Sequence, residues 1–341
     1  MFHKRKDPNK VSRAYLYSAI VRNEGAEFCY FTARNINFSK RSIKGKYYEA
    51  GSWKEKIFPF PDVIINASSQ DTPKQELAEM KLKEIVPFTN FPVGTKTAVY
   101  RRIIEGECFR DHVIPYRFVR SNDDVYDFIK LYGKVILKPI RGHHGNNVIS
   151  IEEKRDLYIV HEKTKIREYL PFEFDEYLNK LRSKKRILVQ KFINCRLRTG
   201  EPYDFRMHLQ KNRQGRWVVT IIFPRVASMN KVITNLSQGS QMIELPRFLI
   251  NEFGNEAKNI EKMLHDFSLN FIVHFESLYP YHFDELALDV GLDKDRKIWI
   301  YEVNWRPGHV FIEVKTAKNA IDYAIFLAKQ KKEKYEEIKI E

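Results

Sequence analysis

The sequence predicts an α+β protein with a small α/β unit at its front. Two observations carry this. Up to about residue 90, short apolar and aromatic runs precede a helical pattern. Beyond it, hairpins bounded by turn residues are interleaved with helices of three-and-four apolar periodicity. The 341 residues are 43% hydrophobic with only 14 Gly and 14 Pro, which excludes a disordered or collagen-like chain. The expected units are 1–90 (α/β), 91–195 (a lobe with a glycine-bearing loop) and 196–341 (a second lobe).

Strands are expected at Ala14–Val21, Glu27–Ala33, Tyr47–Phe58 and Asp62–Ala67, where β-rich or compact apolar runs occur, then a helix over Pro73–Lys83. Lys96–Glu105 reads as helical. Ser121 or Asn122 caps a helix through Leu131 that Gly133 closes. Val135–Ile140 and Val148–Ile151 form a hairpin around Arg141-Gly-His-His-Gly-Asn-Asn147. A helix at Phe174–Ser183 and a strand at Ile187–Ile193 come next. The last unit should hold strands Asp204–Lys211 and Trp217–Arg225. A long helix over Glu256–Leu278, a hairpin at Leu286–Asn304 and a helix at Lys315–Tyr335 complete it.

No apolar run reaches the ~20 residues of a membrane span. Met1–Lys10 is basic, but Val11–Val21 is broken by Ser12, Arg13 and Ser18 and makes a poor signal-peptide core; a cytoplasmic location is expected. Cys29, Cys108 and Cys195 are scattered, which argues against a disulfide framework or zinc cluster and for reduced thiols. The net charge is +15 and it is local. Residues 1–60 hold 13 basic and 5 acidic side chains, and residues 181–231 hold 13 and 2. Such a surplus suits nucleic acid, an anionic surface, a phosphorylated ligand or a polyanion. No RNP, zinc-finger or helix-turn-helix pattern supports specific nucleic-acid binding.

The 286–304 hairpin carries the most chemistry. With 294–297 as a four-residue loop, positions summing to 591 pair, and Asp289 lies opposite Glu302 with Asn304 on the same face. Leu288, Val290, Leu292, Trp299, Tyr301 and Val303 would form the core face. Two opposed carboxylates repel, so a cation belongs between them. With an amide oxygen they suit Mg²⁺ shared with phosphates; the alternative is a solvated polar face. Lys138 interrupts an apolar strand, either to snorkel at an edge or to reach a phosphate. The glycines of the loop after it let the backbone approach an anion. His143 and His144 lack further zinc-ligand spacing. Arg206, Lys211 and Arg225 are basic residues on strands. Arg206 and Arg225, set among apolar residues, each need an anion: Asp204 could serve Arg206, or both could bind phosphate.

Taken in order, Val135-Ile-Leu-Lys-Pro139, Val189-Gln-Lys-Phe-Ile193, Asp204-x-Arg206, Thr234-Asn-Leu-Ser-Gln-Gly239, Glu285-Leu-Ala-Leu-Asp289 and Tyr301-Glu-Val-Asn304 with Pro307-Gly308 resemble the ATP-grasp enzymes, in particular the spore-coat-associated YheC/YheD family. A weaker likeness extends upstream to Phe60-Pro-Asp-Val-Ile-Ile-Asn66. The resemblance implies an ATP-grasp fold, two α+β lobes clasping ATP, with ATP and Mg²⁺ as cofactors. It implies nucleotide contacts from Lys96 and Lys138, and a loop Gly142, His143, His144, Gly145 and Asn146 over the phosphates. Gln190, Lys191, Phe192 and Ile193 become the adenine hinge. Lys211 joins the nucleotide contacts, and Asn235 lies beside the phosphates. Arg225 and Arg206 would stabilise the transferring group, and Asp289, Glu302 and Asn304 would hold Mg²⁺. The implied activity is a carboxylate–amine ligase working through an acyl phosphate on a small or polymeric anionic, envelope-related carboxylate. The other readings are a non-catalytic scaffold of the spore coat or envelope, or a phosphotransferase acting on a hydroxyl.

Overall fold

The computed structural model describes residues 1–140, 148–162, 165–228, 241–308 and 312–340. The chain opens with helix α1 (Ser12–Asn23) and strands β1 (Ile36–Asn37), β2 (Ser42–Glu49) and β3 (Ser52–Pro59). Helices α2 (Pro73–Lys83) and α3 (Lys96–Glu105) follow. Next come β4 (Tyr116–Phe118), α4 (Asp123–Tyr132), β5 (Lys134–Pro139), β6 (Ile149–Lys154), β7 (Leu157–Glu162), β8 (Lys165–Tyr169), α5 (Pro171–Lys184) and β9 (Ile187–Lys191). The last part holds β10 (Tyr203–Lys211), β11 (Trp217–Val226), β12 (Gln241–Met242), α6 (Leu245–Phe253), α7 (Ala257–Ser277), β13 (Glu285–Leu292), β14 (Ile298–Trp305) and α8 (Glu313–Ile340). Among the described residues the strands form three antiparallel sheets, ordered β1-β2-β3, β4-β9-β5-β6-β7-β8 and β12-β11-β10-β13-β14.

The front of the chain departs from the sequence reading. Ala14–Val21, expected as a strand, lies within α1. Its buried residues Ala14, Tyr17, Ser18 and Val21 fall on one helical face, a period that outweighs the β-like content. Tyr47–Phe58 is two strands, with Ala50 and Gly51 both at positive φ in a two-residue hairpin turn, the twist that matches paired strands. Glu27–Ala33 and Asp62–Ala67 form single bridges through Tyr30, Phe31, Ile64 and Asn66. Strands β7 and β8 and helix α6 lie in stretches assigned to no element.

Helices α2 and α3 start on Thr72 and Thr95, whose hydroxyls accept from Gln75 and Ala98 amides. Helices α4 and α5 cover one face of the six-stranded sheet around Val125, Val135, Leu137, Phe174 and Val189. Helices α6 and α7 cover one face of the five-stranded sheet around Phe205, Leu264, Phe271, Leu288 and Ile300. Each sheet therefore keeps its other face for polar work. The two are tied by a parallel bridge between Val113 and Ile300 and by the Tyr100 hydroxyl of α3, which donates to the Tyr301 carbonyl at 2.5 Å.

Candidate active site

Strand alternation separates the two faces of the five-stranded sheet. On β10, Phe205, Met207 and Leu209 enter the core, so Asp204, Arg206 and His208 face the other way. The ladder places Arg206 opposite Asp289, Asp204 opposite Arg225 and Asp289 opposite Glu302.

The Asp289–Glu302 pairing holds through a feature the sequence reading lacked. At the loop end the pairs are Leu292–Ile298, Gly291–Trp299 and Val290–Ile300, one position off the expected register. A bulge between Val290 and Asp289 then restores it. The core face is corrected accordingly: Ile298 and Ile300 join the core cluster in place of Trp299. The Trp299 indole instead donates to Asp293 at 2.7 Å.

Asp289 is buried and held by both guanidinium groups. Arg206 donates through Nε and through Nη2 (2.9 Å), and Arg225 Nη2 lies 3.2 Å away. Burial opposes ionisation of this carboxyl, but Arg206 and then Arg225 outweigh it and hold its pKa below the usual range. Arg225 also grips Asp204 through Nε (2.7 Å) and Nη2 (2.6 Å). Burial works against its charge, and Asp204 followed by Asp289 raises its pKa nonetheless. The expected Asp204–Arg206 pair is thus corrected: Asp204 serves Arg225, and Arg206 serves Asp289. Asp204, Arg225, Asp289 and Arg206 thus form a chain of alternating charge with no formal net charge. Asn304 Nδ2 approaches Asp289 at 3.4 Å.

Glu302 is paired with Lys96 of α3 at 3.2 Å. One turn on, Tyr100 lies 3.5 Å from the Lys138 ammonium of β5, which also stands 5.5 Å over its ring. Burial, then the Lys96 charge, pushes the Lys138 pKa down to about 7 against the pull of Glu302. Lys96, Lys138 and Glu302 thus meet where the two sheets face each other. Tyr100 was missed in the sequence, although it sits one turn from Lys96 on the same helix face.

Gln190 is buried, 3.5 Å from the Ile114 carbonyl. Lys191 lies over the Trp299 and Tyr132 rings, Phe192 packs under Lys134, and Ile193 packs against the main core. Lys211 departs from the set. It ends β10 on the helix side, 2.7 Å from Glu276 and over the Trp217 and Tyr323 rings, so its charge is committed away from this cleft. Gly142, His143, His144, Gly145, Asn146 and Asn235 lie outside the described residues. Among the described residues no cluster of three or more His, Cys, Asp or Glu could hold a metal. Asp289, Glu302 and Asn304 are a sparse oxygen set whose oxygens already have partners: both Asp289 oxygens accept from Arg206, Glu302 meets Lys96 and Asn304 turns its Nδ2 toward Asp289, so an ion held here would share them and complete its shell with phosphate oxygens and water.

The model of a family described as YheC/D-like ATP-grasp matches residues 85–327. The chain belongs to that family. It is 23% identical over 351 residues to the endospore coat-associated protein YheD of Bacillus subtilis strain 168, covering 93% of this chain and 75% of that protein. The fold matches the ATP-grasp ligase PsnB, solved with a phosphomimetic variant of its minimal precursor, Mg and ADP, at TM-score 0.54 and 13% identity over 94% and 96% of the two chains. It also matches D-alanyl-alanine synthetase A from Vibrio cholerae O1 biovar eltor strain N16961, at TM-score 0.53 and 9% identity over 96% of each chain. The fold is therefore ATP-grasp, as the order of motifs implied. No helix among the described residues is long and apolar enough to cross a membrane.

Proposed function

We propose that the protein is an ATP- and Mg²⁺-dependent carboxylate–amine ligase acting on an anionic, envelope-related substrate. The observation that carries this reading is the opposed pair Asp289 and Glu302, retained beside Arg206, Arg225, Lys96 and Lys138 at the meeting of two sheets. A passive scaffold has no need to face two acids across a ladder and hold each with cations.

The residues divide the work by charge. Lys138 and Lys96 bind phosphate oxygens; Lys138 gains most, because an anion restores the charge that burial removes. Gln190, Lys191, Phe192 and Ile193 line the adenine end. Asp289, Glu302 and Asn304 would hold Mg²⁺, which would screen charge on the phosphates. Arg206 and Arg225 keep Asp289 ionised. The substrate carboxylate oxygen attacks the γ-phosphorus, its bond to the β-bridging oxygen breaks, and ADP leaves. The amine then attacks the carbonyl of the acyl phosphate and expels inorganic phosphate, losing its proton to solvent. The chain supplies position and charge rather than a covalent nucleophile. The basic surplus of residues 1–60 supports an anionic acceptor.

Hydroxylamine tests the intermediate, since it traps acyl phosphates as hydroxamates. With ATP, Mg²⁺ and a panel of anionic carboxylates, the wild type should give hydroxamate and ADP, and Asp289→Ala and Glu302→Ala should lose at least a hundredfold of the rate, about 2.7 kcal/mol. Full activity in both variants, or ATP consumption that yields only a phosphorylated hydroxyl, would sink the ligase reading.

A further inference from the structure

The six-stranded sheet ends in a basic pocket that the proposed reaction does not use. The ladder of β4, β9 and β5 runs on there past the strand ends. The Val119 amide donates to the Ile187 carbonyl at 3.1 Å, and the Ile140 amide donates to the Arg186 carbonyl at 3.0 Å. Helix α5 turns into β9 at the same edge through Lys185 and Arg186. The pocket between these segments measures about 450 Å³. That falls inside the range of roughly 300–1,000 Å³ typical of small-molecule sites. It lies at the opposite end of β9 from Gln190, which is ~14 Å along the chain from Arg186 at ~3.4 Å per residue. Lys138 precedes Ile140 by two residues, so the pocket adjoins the nucleotide cleft without containing its groups.

Two kinds of side chain line it. Phe118, Val119, Ile140 and Ile187 are apolar, and Phe118 is 40% exposed. Arg120, Arg182, Lys185 and Arg186 are basic, and no acid is among the lining residues. The acids that open α4 are turned elsewhere. Asp123 accepts from the Ser121 hydroxyl at 3.2 Å, and Asp124 accepts from Arg117 and from the Arg120 and Ser121 amides. None of the four cations has an ion pair among the described residues. Arg182 is the anchored member. Its guanidinium donates to the side-chain oxygens of Asn122 (3.1 Å) and Asn179 (3.4 Å) and to the Arg120 carbonyl, all neutral acceptors. Its position is fixed while its charge is unmet. Arg182 stands in the last turn of α5, whose carbonyl end carries roughly half a negative charge, which offsets only a small part of four positive ones.

The set selects its ligand by charge and shape. A carboxylate offers two oxygens and a single charge, too little for three guanidinium groups and an ammonium. A phosphate monoester offers three acceptor oxygens and a charge of about −1.5 to −2. Guanidinium forks bind phosphate bidentately. Inorganic phosphate gains nothing from Phe118 and its apolar neighbours, whereas an organic ester buries its body against them. We propose that this pocket binds a small organic phosphate monoester. Arg120, Arg182, Lys185 and Arg186 hold the phosphate, and Phe118 and Ile140 hold the organic part. The site is separate from the nucleotide cleft and does not rest on the ligase reading.

The test is calorimetric titration of the full chain at constant salt. The probes are phenyl phosphate, glucose 6-phosphate and glycerol 3-phosphate, each against inorganic phosphate and against phenol, glucose or glycerol. At least one ester should bind about tenfold or more tightly than inorganic phosphate and than its own alcohol. Arg120 and Arg186 are exposed, so Arg120→Gln and Arg186→Gln should fold. Together they should weaken that ester about tenfold or more, while Lys138→Met in the cleft should leave it within about twofold. The proposal is overturned if no ester outbinds inorganic phosphate, or if the arginine pair leaves the ester untouched. It is also overturned if Lys138→Met weakens the ester as much as the arginine pair does, because the phosphate then sits in the cleft. The wild-type comparison alone can overturn it, whatever a variant does to folding.

Discussion

Asp289 and Glu302 face each other, yet their removal should have different costs. The Asp289 side chain is 9% exposed and meets two guanidinium groups, Arg225 buried and Arg206 partly buried, whereas Glu302 is 31% exposed and meets one lysine. Asp289→Ala strips the shared anion from Arg206 and Arg225 and should cost about 3–5 kcal/mol. Glu302→Ala should cost about 0–1 kcal/mol. Urea denaturation of the two variants measures the difference, and equal losses would show that the two guanidinium groups are not what holds Asp289. Lys138 gives a pH signature. Its pKa of about 7 lies below the ordinary 10.5, so between those values the free protein holds it largely neutral. A phosphate favours the charged form, so ATP binding at pH 8 should take up close to one proton, and uptake should vanish well below pH 7. Calorimetry in buffers of different ionisation enthalpy reads this directly. Lys138→Arg, which stays charged, should bind ATP with no uptake from this position.

Among the elements, the hairpin of β13 and β14 shows how much the sequence could say. Alternation and a tight loop put Asp289 opposite Glu302, and the ladder does pair them. The loop is one residue shorter than expected, since the Asp293 amide donates to the Lys297 carbonyl, and the bulge corrects the count. No local signal marks that bulge, because its cause is tertiary. The Tyr301 ring lies over Gly291, and its hydroxyl donates to Cys195 Sγ at 3.1 Å. A Cβ at Gly291 would come within 2.6 Å of the tyrosine ring and Cys195. Gly291→Ala should therefore cost about 1–3 kcal/mol by overpacking. Thermal unfolding checks this, and an unchanged melting temperature would mean that Tyr301 yields freely. Helix α3 was legible because its Thr95 cap and its buried stripe of Val99, Tyr100 and Ile103 agree, and α7 because its apolar period runs through Ile260, Leu264, Phe271 and Phe275. Helix α1 was not: its tyrosines and β-branched residues suggested a strand, and only packing reveals the 14, 17, 18, 21 stripe. The Asp204–Arg225 pair was hidden for a related reason, since it depends on the β10–β11 register.

At the scale of the whole molecule, the first and last helices meet. Ala14, Tyr17 and Val21 of α1 share a cluster with Ala317, Ala320, Ile321 and Ala324 of α8, which seats the front of the chain against the polar sheet face. The +15 surplus takes on structure at this scale. In the basic block 181–231, Arg206, Arg225, Lys211 and Arg213 are committed to Asp289, Asp204, Glu276 and Glu24. Lys96 and Lys138 provide the positive charge between the sheets. The central claim is that this cleft binds ATP with Mg²⁺ through groups from both sheets. Calorimetric titration of ATP with and without Mg²⁺, on the wild type, Lys138→Met and Glu302→Ala, tests it most directly. Saturable binding that weakens tenfold or more without Mg²⁺, and by a similar factor in each variant, is the expected result. Binding of equal strength with and without the metal, untouched by either substitution, would contradict it.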